Sequence, residues 1–280
     1  MKILGIESSG HVASAALIED DKLRAEFTLN NGLTHSETLM PMLSEMMSFS
    51  RERIEDVDAV AVSAGPGSFT GLRIGAATAK GLALGLSCPI VSVSSLHAMA
   101  FNLESSYGNL ICPIMDARRG QVYCAAFKDG ERLLSDDAMS MEGLLEKLSA
   151  YKDCANRMIF LGDGVPVYKE LITERLKESC AFAASDNALQ RAASVAQLGL
   201  WQYKDWLRKN SLELSYMNEN ALEDIKCFND IVMDPDDFVP RYIRKPQAQR
   251  ELEAGMLEDP GLHSLKKMNG EKHGRRDHTS

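Results

Sequence analysis

Short apolar runs separated by polar turns open the chain. Lys2 to Glu7 is the first, His11 to Ile18 a second rich in Val and Ala, and Lys22 to Leu29 a third in which charged and apolar residues alternate. Ser8-Ser9-Gly10 and Glu19-Asp20-Asp21 supply the turns, so the pattern predicts a three-stranded antiparallel meander. Thr34-His35-Ser36-Glu37 then has capping-box spacing, with Thr34 at N-cap and Glu37 at N3, and predicts a helix to about Ser50. Its apolar set, Leu39, Met40, Met42, Leu43, Met46 and Met47, is broader than one core-facing stripe needs. Met fills core gaps and also adapts to interfaces, so this helix either covers only its own sheet or also meets another chain.

Val57 to Ser63 reads as a strand buried on both faces. It runs into Ala64-Gly65-Pro66-Gly67-Ser68-Phe69-Thr70-Gly71-Leu72-Arg73-Ile74-Gly75. Gly65-Pro66-Gly67 excludes a helix interior and predicts a tight loop. Beyond it, Gly71, Gly75 and Ala79 lie four apart, a small-residue helical face that admits another backbone, on a helix reaching Gly85. A strand from Cys88 to Val93 and a short helix from Ser95 to Leu103 follow.

The second half repeats this order. Strands are expected at Leu110 to Asp116, Gln121 to Phe127, Glu131 to Leu134 and Met158 to Leu161, with helices at Met141 to Ala150 and Val167 to Glu178. The hairpin Ile6 to Leu17 aligns with Met115 to Phe127 at the acid, the glycine, the Val and the Ala-Ala pair, allowing one inserted residue. Gly65-Pro66 likewise has a counterpart in Gly164-Val165-Pro166. These matches predict an internal duplication of a βββαβα unit in a mixed α/β protein. The expected divisions are residues 1–105, 106–246 and a polar, disordered tail at 247–280. A helix from Asn187 to Arg208, capped by Asp186 or Asn187, and an acidic, aperiodic stretch from Ser211 to Pro240 precede that tail.

Composition narrows the function classes. With 31 Lys and Arg against 40 Asp and Glu, the formal net charge of -9 repels a phosphate backbone, so any nucleic acid is expected to be met indirectly through a partner. The six cysteines form no Cys-x-x-Cys pair, which fits buried thiols in a reducing compartment better than disulfides or zinc. An acid at position 7 interrupts any leader core and no run approaches about 20 apolar residues, so a cytoplasmic protein with no membrane contact is expected.

A duplicated βββαβα unit is the arrangement of the actin, hexokinase and Hsp70-like (ASKHA) fold, in which paired hairpins grip nucleotide phosphates between two subdomains. In that fold an acid of the first hairpin orients a metal-bound water. Glu7, Ser8 and Asp116 are therefore candidate nucleotide-cleft residues, and an independent ATP-dependent phosphotransferase is one reading. Arg118 and Arg119 stand where a small turn is wanted, which weakens it. No spacing joins Ser, His and Asp into a triad, so a peptidase finds no support.

The stretch Gly65, Pro66, Gly67, Ser68, Phe69, Thr70, continuing to Gly75, resembles the signature of the bacterial TsaB (YeaZ) family. Thr34-His35-Ser36-Glu37, Met115-Asp116-Ala117-Arg118-Arg119-Gly120-Gln121-Val122-Tyr123 and Pro240-Arg241-Tyr242-Ile243-Arg244 extend the likeness over residues 1 to 246, with Glu7 where many relatives have Asp. The resemblance implies a non-catalytic subunit in threonylcarbamoyladenosine modification of tRNA. It implies association with a TsaD-like catalytic subunit and a TsaE-like ATPase, or a homodimer when alone, with no cofactor of its own and ATP and Mg on the partners. The His-x-x-x-His metal pair of TsaD falls on Ser95 and Met99 here, so no metal site is expected, and His97 is a lone histidine. The implied partner interface comprises Thr34, His35, Leu39, Met42, Met46, Gly71, Arg73, Ile74, Gly75, Thr78 and Ala79, which would place a bundle of helices across a two-fold or pseudo-two-fold axis. Arg73 has three open roles: pairing with a partner carboxylate, approaching a nucleotide, or plain solvation.

Overall fold

A computed structural model describes residues 1–210 and 231–244, of which Met1–Ile243 forms one compact unit. The acidic stretch up to residue 230 and the tail at 247–280 lie outside the described residues. β1 (Lys2–Glu7), β2 (Ala13–Glu19) and β3 (Lys22–Leu29) form the meander, followed by α1 (His35–Ser50), β4 (Ala59–Gly65), α2 (Phe69–Leu86), β5 (Ile90–Ser94) and α3 (Ser95–Phe101). The order then repeats as β6 (Leu110–Asp116), β7 (Gln121–Lys128), β8 (Glu131–Ser140), α4 (Met141–Ser149), β9 (Met158–Leu161), α5 (Val165–Leu176), β10 (Cys180–Phe182) and α6 (Ala192–Lys209), with β11 (Val232–Met233) after it. This is the duplicated βββαβα architecture of the ASKHA fold.

Among the described residues the first sheet runs β11-β5-β4-β1-β2-β3 and the second β10-β9-β6-β7-β8. In each, an antiparallel meander joins parallel strands: β1 pairs antiparallel with β2 and parallel with β4, and β6 pairs likewise with β7 and β9. The central parallel strands are mostly apolar, as burial on both faces requires; every residue of β4 is buried. No helix among the described residues is long and apolar enough to cross a membrane.

α1 starts at the predicted cap. The Thr34 amide donates to Glu37 Oε2 at 3.2 Å and its hydroxyl to the same oxygen at 2.5 Å, so the carboxylate of N3 closes the box. Leu39, Met42, Leu43, Met46 and Met47 pack in one cluster with Ala13, Ala15 and Leu17 of the sheet. α2 lies beside α1 on this face, with Ala76, Ala79 and Ala83 in the same cluster.

α6 covers the opposite face, although it falls in the second half of the sequence. Its N-terminus is Arg191, not the expected Asp186 or Asn187, and the cap comes from distant strands. Ala192 N–H donates to Ser14 Oγ at 3.1 Å and Ala193 N–H to Glu26 Oε1 at 3.0 Å, while the Arg191 guanidinium pairs with the Glu26 carboxylate. These groups satisfy helix amides that no local side chain reaches. α3 crosses the other way: Leu96, Met99 and Ala100 join Ile111, Met115 and Ala125 of the second sheet. β10 and β11 have three and two residues, too short to carry a period. β8 runs six residues beyond the expected Leu134 because Ser135-Asp136-Asp137 disguises a sheet edge as a turn.

α6 sits close to the sheet because glycine permits it. A Cβ on Gly5 would lie 2.5 Å from the Ala192 carbonyl oxygen and 2.8 Å from Ala196 Cβ. Gly5→Ala is expected to destabilise the full chain by about 1–3 kcal/mol through overpacking, read as a lower urea midpoint with unchanged slope.

Candidate functional site

The C-terminal ends of β1 and β4 meet the start of α2, and there the first hairpin is closed over by the signature loop. Gly65 has φ +118°, a left-handed value suited to glycine, and turns the chain after β4; the Gly65-Pro66 peptide is cis. The Ser68 amide then donates to the Ser9 carbonyl at 2.7 Å, and the Ser8 hydroxyl to the Gly71 carbonyl at 3.0 Å. A Cβ on Gly67 would strike Ser9, one on Gly71 the Ser8 carbonyl oxygen, and one on Gly75 the Ser8 hydroxyl. His35 adds a third clamp, its Nε2 2.9 Å from the Gly10 carbonyl. A carbonyl only accepts, so the proton sits on Nε2.

The Ser8 and Ser9 amides are spent internally. Ser8 N–H lies 3.4 Å from Ser63 Oγ, and Ser9 donates to Glu7 Oε1 from its amide at 2.5 Å and its hydroxyl at 2.6 Å. Glu7 is fully buried, and among the described residues its Oε2 meets no hydrogen-bond partner. Burial pushes its carboxyl up from 4.5 to about 7, against the lowering effect of the Ser9 bonds. Gln190, also buried, stands against Gly10.

Asp116 is exposed, and its Oδ1 accepts from Arg118 N–H at 2.9 Å. It is linked to Asp163, whose Oδ1 accepts the Asp116 amide at 3.2 Å and whose Oδ2 lies 3.9 Å from His11 Nε2. Burial raises the Asp163 carboxyl, opposed by the Asp116 amide bond. Asp163 thus joins both hairpins, a role that periodicity does not reveal; the only signal is its place inside Gly162-Asp163-Gly164. Ser95 and Met99 are fully buried in α3, and His97 stacks on Phe127 at 5.0 Å. Burial first, then the nearby Arg132, lowers the His97 imidazole to about 4.

The expected partner face divides into two groups. Leu39, Met42 and Met46 of α1, and Gly71, Gly75 and Ala79 of α2, are buried against the chain's own core and hairpin. The reason is geometric: the small face of α2 admits a backbone, and that backbone is β1's own continuation. Thr34 is exposed and Ile74 and Thr78 are half-buried. Arg73 is exposed, with its guanidinium 3.9 Å above the Phe69 ring and its Nε 3.4 Å from Tyr242 Oη. Phe69 and Tyr242 lie 4.9 Å apart, fixing the C-terminal Arg241-Tyr242 segment to the loop. Ser68 and Thr70 are exposed beside them.

The outward face of α2 is formed by residues that the spacing argument passed over. Gly81 and Gly85 have open space where a side chain would be, and Leu84 between them is 51% exposed.

The family model described as TsaD: tRNA N6-adenosine threonylcarbamoyltransferase matches residues 30–251. The Bacillus subtilis tRNA threonylcarbamoyladenosine biosynthesis protein TsaB is 34% identical over 203 residues, covering 71% of this chain and 87% of its own length. The Haemophilus influenzae protein of the same name is 31% identical over 232 residues, covering 76% and 91%. The chain belongs to the TsaB (YeaZ) family. Its role therefore lies in threonylcarbamoyladenosine biosynthesis. Among solved structures, a Pseudomonas aeruginosa protein described as similar to peptidase YeaZ has a TM-score of 0.65 at 23% identity, over 87% of this chain and 99% of that one. YeaZ from the same organism has a TM-score of 0.60 at 21% identity, over 86% and 99%. At these identities the likeness concerns the fold, and the family signature maps onto the loop that closes the first hairpin.

Because the folded chain holds the Glu7 proton more tightly than the unfolded chain, this group's stability contribution is complete below about pH 4.5. It is lost as pH rises through about 7. Glu7→Gln keeps the acceptor for Ser9 and removes the buried charge. It is expected to stabilise the chain by about 3 kcal/mol at pH 8 and by little at pH 4.5, measured by urea denaturation at both pH values.

Proposed function

We propose that this chain is a non-catalytic subunit that dimerises with a TsaD-like transferase and, with a TsaE-like ATPase, activates it. The modification is made on adenosine next to the anticodon of tRNA. The observation that carries this reading is the first hairpin closed by the chain's own loop. In a phosphotransferase of this fold the hairpin must offer free amides to phosphate and an ionised acid to a metal-bound water. Here the Ser9 amide binds Glu7, the Ser8 amide faces Ser63, and the Glu7 carboxyl is buried and half-protonated near neutral pH. The chain then needs no cofactor of its own; ATP and Mg act on the partner subunits, and tRNA is reached through the complex.

The docking face follows from α2. Two exposed glycines in a helix each cost about 1 kcal/mol relative to Ala, and among the described residues Gly81 and Gly85 have no neighbour that requires them. A partner helix crossing at Gly81, Leu84 and Gly85 supplies the reason, since small residues let two backbones approach. Alone, the chain uses the same face for a homodimer.

Mixed with purified TsaD-like subunit, the chain is expected to elute as a heterodimer on a sizing column. Gly81→Arg or Leu84→Glu should weaken that complex at least about tenfold with no loss in the chain's own thermal stability. Gly75→Trp, which drives a ring into Ser8, should instead unfold the chain. A heterodimer indifferent to both outward substitutions overturns the assigned face. For the isolated chain, calorimetry with ATP and Mg²⁺ should show no turnover; turnover abolished by Glu7→Ala would establish an independent phosphotransferase.

A further inference from the structure

One margin of the first sheet ends in β3, which pairs with β2 on one side and, among the described residues, with nothing on the other. Native sheets blunt such edges with Lys, Pro, bulges or a covering element, because a row of unpaired amides and carbonyls accepts another strand. β3 does so at its start, where a bulge opposite Leu17 and Ile18 displaces Arg24 from the register, and through the inward-held Glu26 carboxylate. Residues 25–29, Ala-Glu-Phe-Thr-Leu, run on in regular pairing and contain neither Lys nor Pro.

Beside this open stretch lies a groove of about 620 Å³ between β3 and α1, walled by Phe27, Leu29, Leu33, Pro41, Met42 and Phe49. Phe49 is 75% exposed and its ring lies 6.2 Å from that of Phe27; Leu33 is 56% exposed. These are large apolar groups gathered at one place, not scattered singly over the surface. The groove's charged lining residues are Glu37 and Glu45, both acidic. A second copy of the chain would bring the same two carboxylates to the seam, so pairing between copies sets like charges together.

We propose that residues 25–29 of β3 and the adjoining groove take an extended, apolar and basic segment of a protein partner, added to the sheet as a further strand. Main-chain hydrogen bonds along the edge supply affinity, and alternate side chains of the segment enter the groove against Phe27, Pro41 and Phe49. Lys or Arg at its flank meets Glu45. The site is separate from the α2 face and does not depend on the partner assigned there.

Peptides of about ten residues, long enough to cover the ~17 Å edge, are displayed as a library and panned against the full chain. The expected enrichment alternates apolar residues with Lys or Arg. Binding of an enriched peptide should weaken about tenfold in Phe49→Ala and about tenfold in Glu45→Lys, with a flatter salt dependence in the second. Amide hydrogen exchange at residues 25–29 should slow on binding, while circular dichroism of both surface variants matches the parent. No enrichment, enrichment of acidic sequences, or peptides indifferent to both variants overturns the proposal. Concentration-dependent self-association lost in Phe49→Ala assigns the groove to a second copy and overturns it equally.

Discussion

The packing of α2 and its preceding loop onto the tip of the first hairpin is the contact on which the rest depends. Three glycines bring backbone onto backbone there: Gly67 over Ser9, Gly71 over the Ser8 carbonyl and Gly75 over the Ser8 hydroxyl. Close approach turns exposed turn amides and carbonyls into internal hydrogen bonds, which removes them from any ligand. It also seats α2 against the sheet, and α1 follows because His35 reaches the Gly10 carbonyl from its first turn. A single run of small residues therefore sets both the seat of the helical layer and the hydrogen bonding of the hairpin tip.

The same contact explains the state of Glu7. Closing the loop over the hairpin excludes water from the carboxyl, and desolvation outweighs the two bonds from Ser9, so the group titrates near neutrality. In an open cleft of this fold such an acid serves a metal-bound water. Here it ties Ser9 into the turn, and the chain tolerates one unpaired carboxyl oxygen in its interior. Asp163, joined to His11 and the Asp116 amide, makes a second internal link between the two hairpins.

Two outward features of the first half differ in kind. α2 presents Gly81 and Gly85, suited to a rigid helix at close range. β3 presents an unpaired edge beside an apolar groove, suited to an extended segment. Membership in the TsaB family gives the process in which the chain takes part.

The order of elements was legible in the sequence because it rests on local period and on turn chemistry. A short apolar run placed β1 and alternation placed β3, the spacing Thr34 to Glu37 placed the start of α1, and the repeated hairpin pattern disclosed the duplicated ASKHA architecture. The glycines at 71 and 75 were equally visible, since spacing by four reveals that some backbone comes close. Spacing does not reveal which backbone, and only the tertiary structure showed that it is the chain's own hairpin, moving the outward face to Gly81 and Gly85. The cap of α6 failed for the same reason: Ser14 and Glu26 lie more than 160 residues away from the amides they satisfy. Period and propensity are properties of neighbours along the chain, whereas burial of Glu7, the pairing of Asp163 with His11 and the open edge of β3 are set by residues that meet only when the sheets form.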